Sequence, residues 1–188
     1  MSTLTIRPRQ PSHLPACASL LARVYAKDRY PVQGVSRAEE FLSSPHTLGA
    51  WLAVESDATN NDPKDTNEAI LGHVCLTAPH DEHDPAVALW REQKREQPIA
   101  VLERLFVDPE ARGRGLAEKL LRAAGEEAAK RAVRAVLFAL IKDPGAMRLY
   151  ERVGWREFGR GMYAYVDQEG ERSEMEAVCY VAPEGGDG

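Results

Sequence analysis

One segment, Leu102–Leu121 (LERLFVDPEARGRGLAEKLL), constrains the fold of this chain more than any other. An apolar run typical of a strand ends before Asp108-Pro109, and a helical pattern begins after Gly115. Gly113 and Gly115 tolerate positive φ and have no Cβ, so a ligand can approach the backbone closely. The first amides of a helix lack internal partners, and the helix dipole adds positive potential there. The segment therefore predicts a strand–turn–helix unit that can bind an anion.

The residues around these glycines leave two interpretations open. Arg112 and Arg114 add cationic donors that suit a pyrophosphate group. The segment is not a P-loop, because the Gly-Lys-Ser/Thr triplet is missing. It also lacks the third glycine of a dinucleotide fingerprint, since Glu118 stands there. On the glycines alone, a plain turn with solvated arginines explains the segment as well as an anion site does.

Hydrophobic periodicity predicts an α/β protein with a mixed sheet covered by helices. We predict strands at Thr3–Arg7, Leu48–Glu55, Ala69–Thr77, Ile99–Val107, Ala135–Ile141, Trp155–Val166 and Met175–Val181. We predict helices at Ser12–Lys27 with Ser12 as N-cap, Ser36–Leu42, Val87–Arg95, Gly115–Arg131 and Pro144–Val153, the last one ended by Gly154. The polar stretch Ser56–Asn67 is expected to form a hairpin tip.

Three blocks of the sequence resemble the GNAT acyl-CoA N-acyltransferases. Residues 112–117 (RGRGLA) match the family signature (Q/R)-x-x-G-x-(G/A), and Leu102–Pro109 (LERLFVDP) extends the match upstream. Ala146–Trp155 (AMRLYERVGW) is similar to the family block A-x-x-L-Y-E-x-x-G-F. The opening Ile6-Arg7-Pro8, followed by a helix, is also typical of the family.

The resemblance implies a mixed, mostly antiparallel sheet with a central V-shaped splay, flanked by helices. It implies one acyl-CoA N-acyltransferase domain over residues 1–182. Residues 183–188 (PEGGDG) are expected from their composition to form a disordered tail. The implied activity is transfer of an acetyl group from acetyl-CoA to a primary amine of a small molecule or peptide by direct attack. A non-catalytic acyl-CoA-binding sensor is the alternative, and a nucleotide-binding protein is a third one.

The resemblance also implies where acetyl-CoA binds. The pyrophosphate falls on the turn formed by Arg112, Gly113, Arg114, Gly115, Leu116 and Ala117. The pantetheine arm falls on the unpaired edge of the preceding strand, at Leu105, Phe106 and Val107. The amide of Val107 is expected to polarise the thioester carbonyl. Asp143 stands where the family commonly has Asn; we expect it to contact the coenzyme and to cap the helix that begins at Pro144.

The reaction needs a base for the amine and an acid for the leaving thiolate. The resemblance implies that Tyr150 is the acid and that it also contacts the coenzyme. Glu103 is our predicted base, and its alternative role is structural or substrate-orienting. By strand alternation, Glu103 is expected to share a face with Leu105 and Val107. Asp28 and Tyr30, which follow the first helix, are expected to bind the acceptor. Weaker candidates for the base are Asp28, Tyr30, Glu82 and Asp84.

Composition excludes several other classes. The net charge of −5 argues against a general nucleic-acid or membrane partner, because both require a basic surface. Cys17, Cys75 and Cys179 are odd in number and far apart, so we expect reduced core thiols. The sequence His80–Asp84 (HDEHD) matches no closed zinc spacing, and we expect no metal. We expect a cytoplasmic protein, because no signal peptide or long apolar run is present. We expect a monomer or homodimer.

Overall fold

The computed structural model describes residues 2–57 and 68–184, and within them the chain forms seven strands and five α-helices. Most of the predicted hairpin tip and the end of the predicted tail lie outside these residues. The strands are β1 (Ser2–Pro8), β2 (Thr47–Asp57), β3 (Glu68–Thr77), β4 (Ile99–Val107), β5 (Arg134–Leu140), β6 (Arg156–Val166) and β7 (Arg172–Val181). The helices are α1 (Leu14–Asp28), α2 (Ala38–Leu42), α3 (Pro85–Glu92), α4 (Leu116–Lys130) and α5 (Pro144–Arg152).

The strands form one sheet in the order β1-β2-β3-β4-β5-β7-β6. Neighbouring strands are antiparallel except β4 and β5, which run parallel. The sheet is therefore mixed and mostly antiparallel, as predicted.

The parallel pair β4–β5 separates soon after it begins. Its register runs only from Ile99 opposite Arg134 to Val101 opposite Val136. On its other edge, β4 stays paired with β3 as far as Val107, which lies opposite Gly72. The second half of β4 thus has a strand on one edge and a gap on the other, which confirms the predicted splay.

A β-bulge interrupts β4 at Arg104. Cys75 lies opposite Glu103 and His73 lies opposite Phe106, so β4 has one residue more than β3 in this interval. Arg104 takes a left-handed conformation with φ of 55°. The extra residue reverses the alternation of side chains along the strand.

The bulge overturns the predicted orientation of Glu103. Leu105 and Val107 pack in the core beneath α4, with Leu120. Glu103 lies beside Cys75 instead, on the face where Phe106 packs against α1. The prediction that Glu103 shares a face with Leu105 and Val107 is wrong, because alternation does not continue through Arg104.

Helices cover both faces of the sheet. The predicted apolar stripe of α4 is buried on one face, at Leu116, Leu120, Leu121, Ala124 and Ala128. On the other face α1 and α2 cover β2 and β3, and α3 covers β5, β6 and β7. The three cysteines are free and buried, as predicted.

The start of α1 differs from the prediction. A 3-10 turn occupies Pro11–His13, and the helix begins at Leu14 with His13 in the N-cap position. Ser12 is therefore not the N-cap. Prolines on both sides, at 11 and 15, set this start, because proline fits the first turn of a helix and removes an amide that would need a partner.

Candidate active site

A cavity of about 1220 Å³ passes through the gap between β4 and β5. One side of it is the sheet face covered by α4, where Ala146, Leu149 and Tyr150 of α5 also pack, and the other side is the face covered by α1, α2 and α3. The predicted residues that line it are Asp28, Tyr30, Glu103, Leu105, Phe106, Val107, Arg112, Gly113, Gly115, Leu116, Ala117, Asp143 and Tyr150. The topology thus brings nearly all of the predicted site residues to one cavity, and Arg114 lies outside its lining.

The glycine turn before α4 has the conformation that the sequence predicted. Gly113 and Gly115 have φ of +78° and +70°, and a Cβ at either position would meet nothing within 4 Å. The backbone conformation, not crowding by neighbours, therefore requires glycine here. Gly115 is the N-cap of α4 and offers no side chain to the first amides of the helix. Uncapped amides beside open space fit a diphosphate group.

Both arginines of this turn pair with carboxylates of distant elements. Arg112 Nη1 donates to Asp28 Oδ1 over 3.3 Å, which ties the turn to the end of α1. Arg114 Nη2 donates to Glu55 Oε1 on β2 over 2.5 Å. An anion bound at the turn would share these guanidinium groups with the two carboxylates.

Asp143 lies in the N-cap position of α5, but its side chain does not cap the helix. Its Oδ1 accepts a hydrogen bond from Lys142 Nζ at 2.9 Å instead. Only the backbone carbonyl of Asp143 meets the helix, where it accepts from the amide of Ala146 at 3.0 Å. The prediction of a side-chain cap is therefore wrong, because the neighbouring ammonium group holds the carboxylate.

The backbone of Val107 faces the gap. The amide of Asp108 donates to the carbonyl of Leu71 on β3 over 2.8 Å. Peptide groups alternate in direction along an antiparallel pair, so those of Val107 point away from β3. The N–H and C=O of Val107 are thereby directed into the cavity, where an extended amide chain can pair with them.

Tyr150 is buried in the cavity wall on α5. Its ring lies 5.7 Å from the Tyr180 ring and 6.0 Å from the Trp155 ring, measured between centroids. Burial raises its pKa, and the nearby Asp143 and Tyr180 raise it further. The phenol is therefore protonated at neutral pH and can act as a proton donor.

Glu103 is engaged by a cation that the sequence did not single out. Its Oε2 lies 2.7 Å from Arg104 Nη1. The Arg104 side chain is largely buried, 3.4 Å from Cys75 Sγ and over the Phe41 ring. The carboxylate of Glu103 is thus half of an ion pair in the cavity wall.

The two predicted acceptor-binding residues have different surroundings. Tyr30 is half-buried, its ring centroid 6.3 Å from that of Phe106. Burial raises the pKa of Tyr30 and keeps its phenol neutral. Asp28 lines the same cavity, and its carboxylate pairs with Arg112 at the glycine turn.

Several cavity residues were missed or undervalued in the sequence, chiefly Gln33, Asp81, Asp84, Phe138, Lys142 and Tyr163. Asp84 is buried at the start of α3, which begins two residues earlier than predicted. The pair Asp84-Pro85 was the available signal, because an N-cap aspartate before a proline is typical of a helix start. The weaker base candidate Glu82 is exposed, pairs with Arg91 and does not line the cavity.

No cluster of three or more metal-binding side chains occurs among residues 2–57 and 68–184. In the same part of the chain, no helix has the length and apolar character needed to cross a membrane.

Comparison with known proteins agrees with this geometry. The sequence model of the Acetyltransferase (GNAT) family matches residues 20–155. An uncharacterized N-acetyltransferase of Methanocaldococcus jannaschii is 36% identical over 69 residues, which span 36% of this chain and 30% of that protein.

Two solved structures share the fold. Arabidopsis thaliana NAA60 in complex with acetyl-CoA aligns with a TM-score of 0.66 at 20% identity, over 96% of this chain and 98% of that one. The ribosomal-protein-S18-alanine N-acetyltransferase of Escherichia coli aligns with a TM-score of 0.62 at 19% identity, over 98% and 97%. Because the family match also covers most of the chain, this protein belongs to the GNAT family of acetyltransferases.

Proposed function

We propose that this protein is an acetyl-CoA-dependent N-acetyltransferase that acts on a primary amine of a small molecule or peptide. The observation that supports this most is the continuous cavity, which connects the glycine turn before α4 with polar side chains on the opposite face of the sheet. A coenzyme bound at the turn would reach an amine approaching from the other side through the gap.

In this proposal the chain's backbone holds the coenzyme. The amides of the turn at Gly113, Gly115, Leu116 and Ala117 bind the diphosphate, as expected for a helix N-terminus with left-handed glycines. The peptide groups of Val107 pair with the pantetheine arm and orient the thioester carbonyl. Bound acetyl-CoA supplies the activated acetyl group.

Side chains then transfer the protons of the reaction. An alkyl ammonium with a pKa near 10.4 costs about 4–5 kcal/mol to deprotonate at pH 7, so the acceptor side must provide a base. Tyr150, which burial keeps protonated, donates to the departing thiolate. Glu103, the base predicted from sequence, lies beside the gap in its ion pair with Arg104.

An acyl-CoA sensor would have the same turn but no need for an acceptor pocket. The far side of this cavity is polar rather than filled: Asp81, Asp84, Glu103 and Tyr163 line it. This favours an enzyme over a binding module.

The test is release of free thiol from acetyl-CoA in the presence of an amine panel. The panel contains polyamines, aminoglycosides, amino acids and peptides with free N-termini; the name of the E. coli relative is the reason to include peptides. We expect amine-dependent thiol release with at least one class. Tight acetyl-CoA binding without turnover across the panel would support the sensor. Binding abolished by excess ATP or NAD would support a nucleotide site.

A further inference from the structure

We propose that Asp84 is the group that binds the acceptor's ammonium ion and removes its proton, so that the preferred acceptor is a cationic amine. This inference rests on the proposed function and adds to it the base and the charge of the substrate. Asp84 precedes α3, in the connection between β3 and β4.

The charge on the acceptor side of the cavity favours a cation. The ionisable cavity residues from the β3–β4 connection, β4 and β6 are, besides a phenol and His80, the carboxylates Asp81, Asp84 and Glu103 and the guanidinium of Arg104. Asp28 of α1 also lines the cavity, but it is already paired with Arg112. Three carboxylates face one fixed cation, so the pocket has a net negative charge. An ammonium group is favoured in such a pocket, and a carboxylate-bearing acceptor is disfavoured.

Asp84 differs from Glu103 in what its oxygens contact. Glu103 Oε2 lies 2.7 Å from Arg104 Nη1, so a permanent cation balances its charge, although this buried oxygen accepts no hydrogen bond. Asp84 takes part in none of the ion pairs found in the described part of the chain. Asp81 takes part in none of them either, but it is exposed and its Oδ1 accepts from the amide of His83 at 2.8 Å. Among the described residues, Asp84 is therefore the buried carboxylate of this pocket that has no ion-pair partner.

The position of the Asp84 side chain is fixed by α3. Its Oδ1 accepts from the amides of Ala86 at 2.8 Å and Val87 at 3.0 Å. Both cap bonds use the same oxygen, so Oδ2 is the oxygen left for a ligand. The residue is 5% exposed, so the side chain is held by its surroundings and lines the cavity from a rigid element.

The ionisable groups around Asp84 are Glu103 on β4, Asp81 in the preceding loop, Tyr163 on β6 and Cys179 on β7. None of these is a cation. The pKa of Asp84 is raised to about 6, chiefly by burial; the amide bonds from Val87 and Ala86 oppose this rise, and the charges of Glu103 and Asp81 add to it. A carboxylate that titrates near this pH is ionised at neutral pH and is a stronger base than an exposed one, as general base catalysis requires.

Two protons leave the acceptor nitrogen during the transfer. An ammonium R–NH3⁺ has three N–H protons, and the amide product keeps one. The first of the other two passes to Asp84 and then to solvent, and the freed lone pair forms the C–N bond as the C–S bond breaks. The thiolate takes the phenolic proton of Tyr150. The second proton leaves the nitrogen and, through solvent, restores the phenol, so one proton is released per turnover.

The experiment is the pH dependence of kcat/KM between pH 5 and 9 for Asp84→Asn. Asparagine is an equally good N-cap, so its oxygen preserves both bonds to α3 while Oδ2 becomes a non-basic amide nitrogen. We expect kcat/KM to fall about 100-fold or more at pH 7.5. We also expect loss of the acidic limb, which in the unaltered enzyme lies near pH 6. The Kd of acetyl-CoA should change by less than about threefold, since the coenzyme binds elsewhere.

Three further variants make the result decisive. Glu82→Gln, two residues away and outside the cavity, should match the unaltered enzyme in rate and pH profile. Glu103→Gln should keep the acidic limb whatever its rate. Asp84→Ser keeps a capping oxygen on a shorter side chain and should lose activity as Asp84→Asn does, should the latter fail to fold.

If Asp84→Asn keeps both its rate and the acidic limb, the assignment of Asp84 as the base is overturned, while the proposed function stands. Loss of the limb in Glu103→Gln instead would identify Glu103 as the base and overturn it equally. An unaltered chain that binds acetyl-CoA and acetylates no amine would overturn the proposed function, and this assignment with it.

Discussion

Replacing His73 by glutamine should remove a large part of the pH dependence of folding stability. His73 lies on β3 and is fully buried. Its Nδ1 lies 2.8 Å from the carbonyl oxygen of Arg104, and its Nε2 lies 2.9 Å from Arg9 Nη1. Because the guanidinium can only donate, Nε2 must accept and Nδ1 must carry the proton. The ring is therefore neutral in the folded protein, and burial lowers its pKa to about 3.

The magnitude follows from the difference between folded and unfolded states. The unfolded chain binds a proton at this residue below its ordinary pKa of about 6.5, and the folded chain does not until about pH 3. A depressed folded pKa means that the stability contribution is complete above the unfolded pKa and is lost as the pH falls. Between pH 7 and pH 5 this single residue accounts for a loss of about 2 kcal/mol. Glutamine does not titrate and loses nothing by this route.

The assay is urea unfolding at pH 7 and pH 5 for the unaltered chain, His73→Gln and His83→Gln. His83 is exposed and serves as the control. At pH 7, His73→Gln should cost about 1–3 kcal/mol for each buried partner left unsatisfied. When the pH falls from 7 to 5, the free energy of unfolding of His73→Gln should decrease by about 2 kcal/mol less than that of the unaltered chain. The decrease for His83→Gln should equal that of the unaltered chain. An equal loss in His73→Gln and the unaltered chain would refute the neutral, doubly bonded imidazole.

Three other substitutions test the site and the core. Tyr150→Phe should lower kcat about 100-fold and change the Kd of acetyl-CoA by less than about threefold, because only the transferred proton is lost. Steady-state kinetics measures kcat and calorimetry measures Kd; an unchanged kcat would rule out the acid role. As the pH rises from 4 to 7, the free energy of unfolding of Asp84→Asn should increase by up to about 3 kcal/mol relative to that of the unaltered chain, because the raised pKa makes the ionised carboxylate unfavourable when folded. Urea unfolding measures this difference, and a difference that stays constant with pH would contradict the prediction. Leu120→Ala should lower the free energy of unfolding by about 2–5 kcal/mol, because Leu120 is fully buried between α4 and the sheet. The control Lys119→Ala, at a partly exposed position, should change it by less than about 0.5 kcal/mol, and similar values for both variants would contradict the packing of α4.

Periodicity and local turn chemistry predicted the parts of the fold that neighbours in sequence determine. The buried stripe of α4 could be predicted because its members recur at helical spacing. Gly154 was readable because a left-handed residue typically follows a helix, and its φ is 87°. The glycine turn at 113–115 was readable for the same reason: its conformation is set within a few residues.

The orientation of Glu103 could not be predicted from the sequence, because one residue with φ of 55°, Arg104, reverses the alternation of side chains along β4. Arg104 tolerates that conformation with its carbonyl bound to His73, which lies 31 residues earlier in the chain. Nothing in the run VLERLFV indicates such a distant partner. A bulge of this kind is specified by tertiary contacts, and alternation alone predicts the wrong face.

Long-range pairing also limited the prediction of the site. Arg112 and Arg114 were correctly placed at the turn, but their partners come from α1 and β2. Asp84 stands in an acidic stretch typical of a solvated loop. Its burial comes from the packing of α3 on the sheet, which the local sequence does not specify.

The most direct test of the account is calorimetric titration of acetyl-CoA into the unaltered chain and into Gly115→Glu. The substitution places bulk and negative charge in the open space above the turn. Gly125→Glu adds the same charge further along α4, where a Cβ also meets nothing within 4 Å, and is the matched control. We predict binding to the unaltered chain and to Gly125→Glu with similar Kd, and a loss of at least about 100-fold, or about 3 kcal/mol, in Gly115→Glu. Equal affinity in all three proteins would mean that the coenzyme's phosphates bind elsewhere, and it would contradict the account.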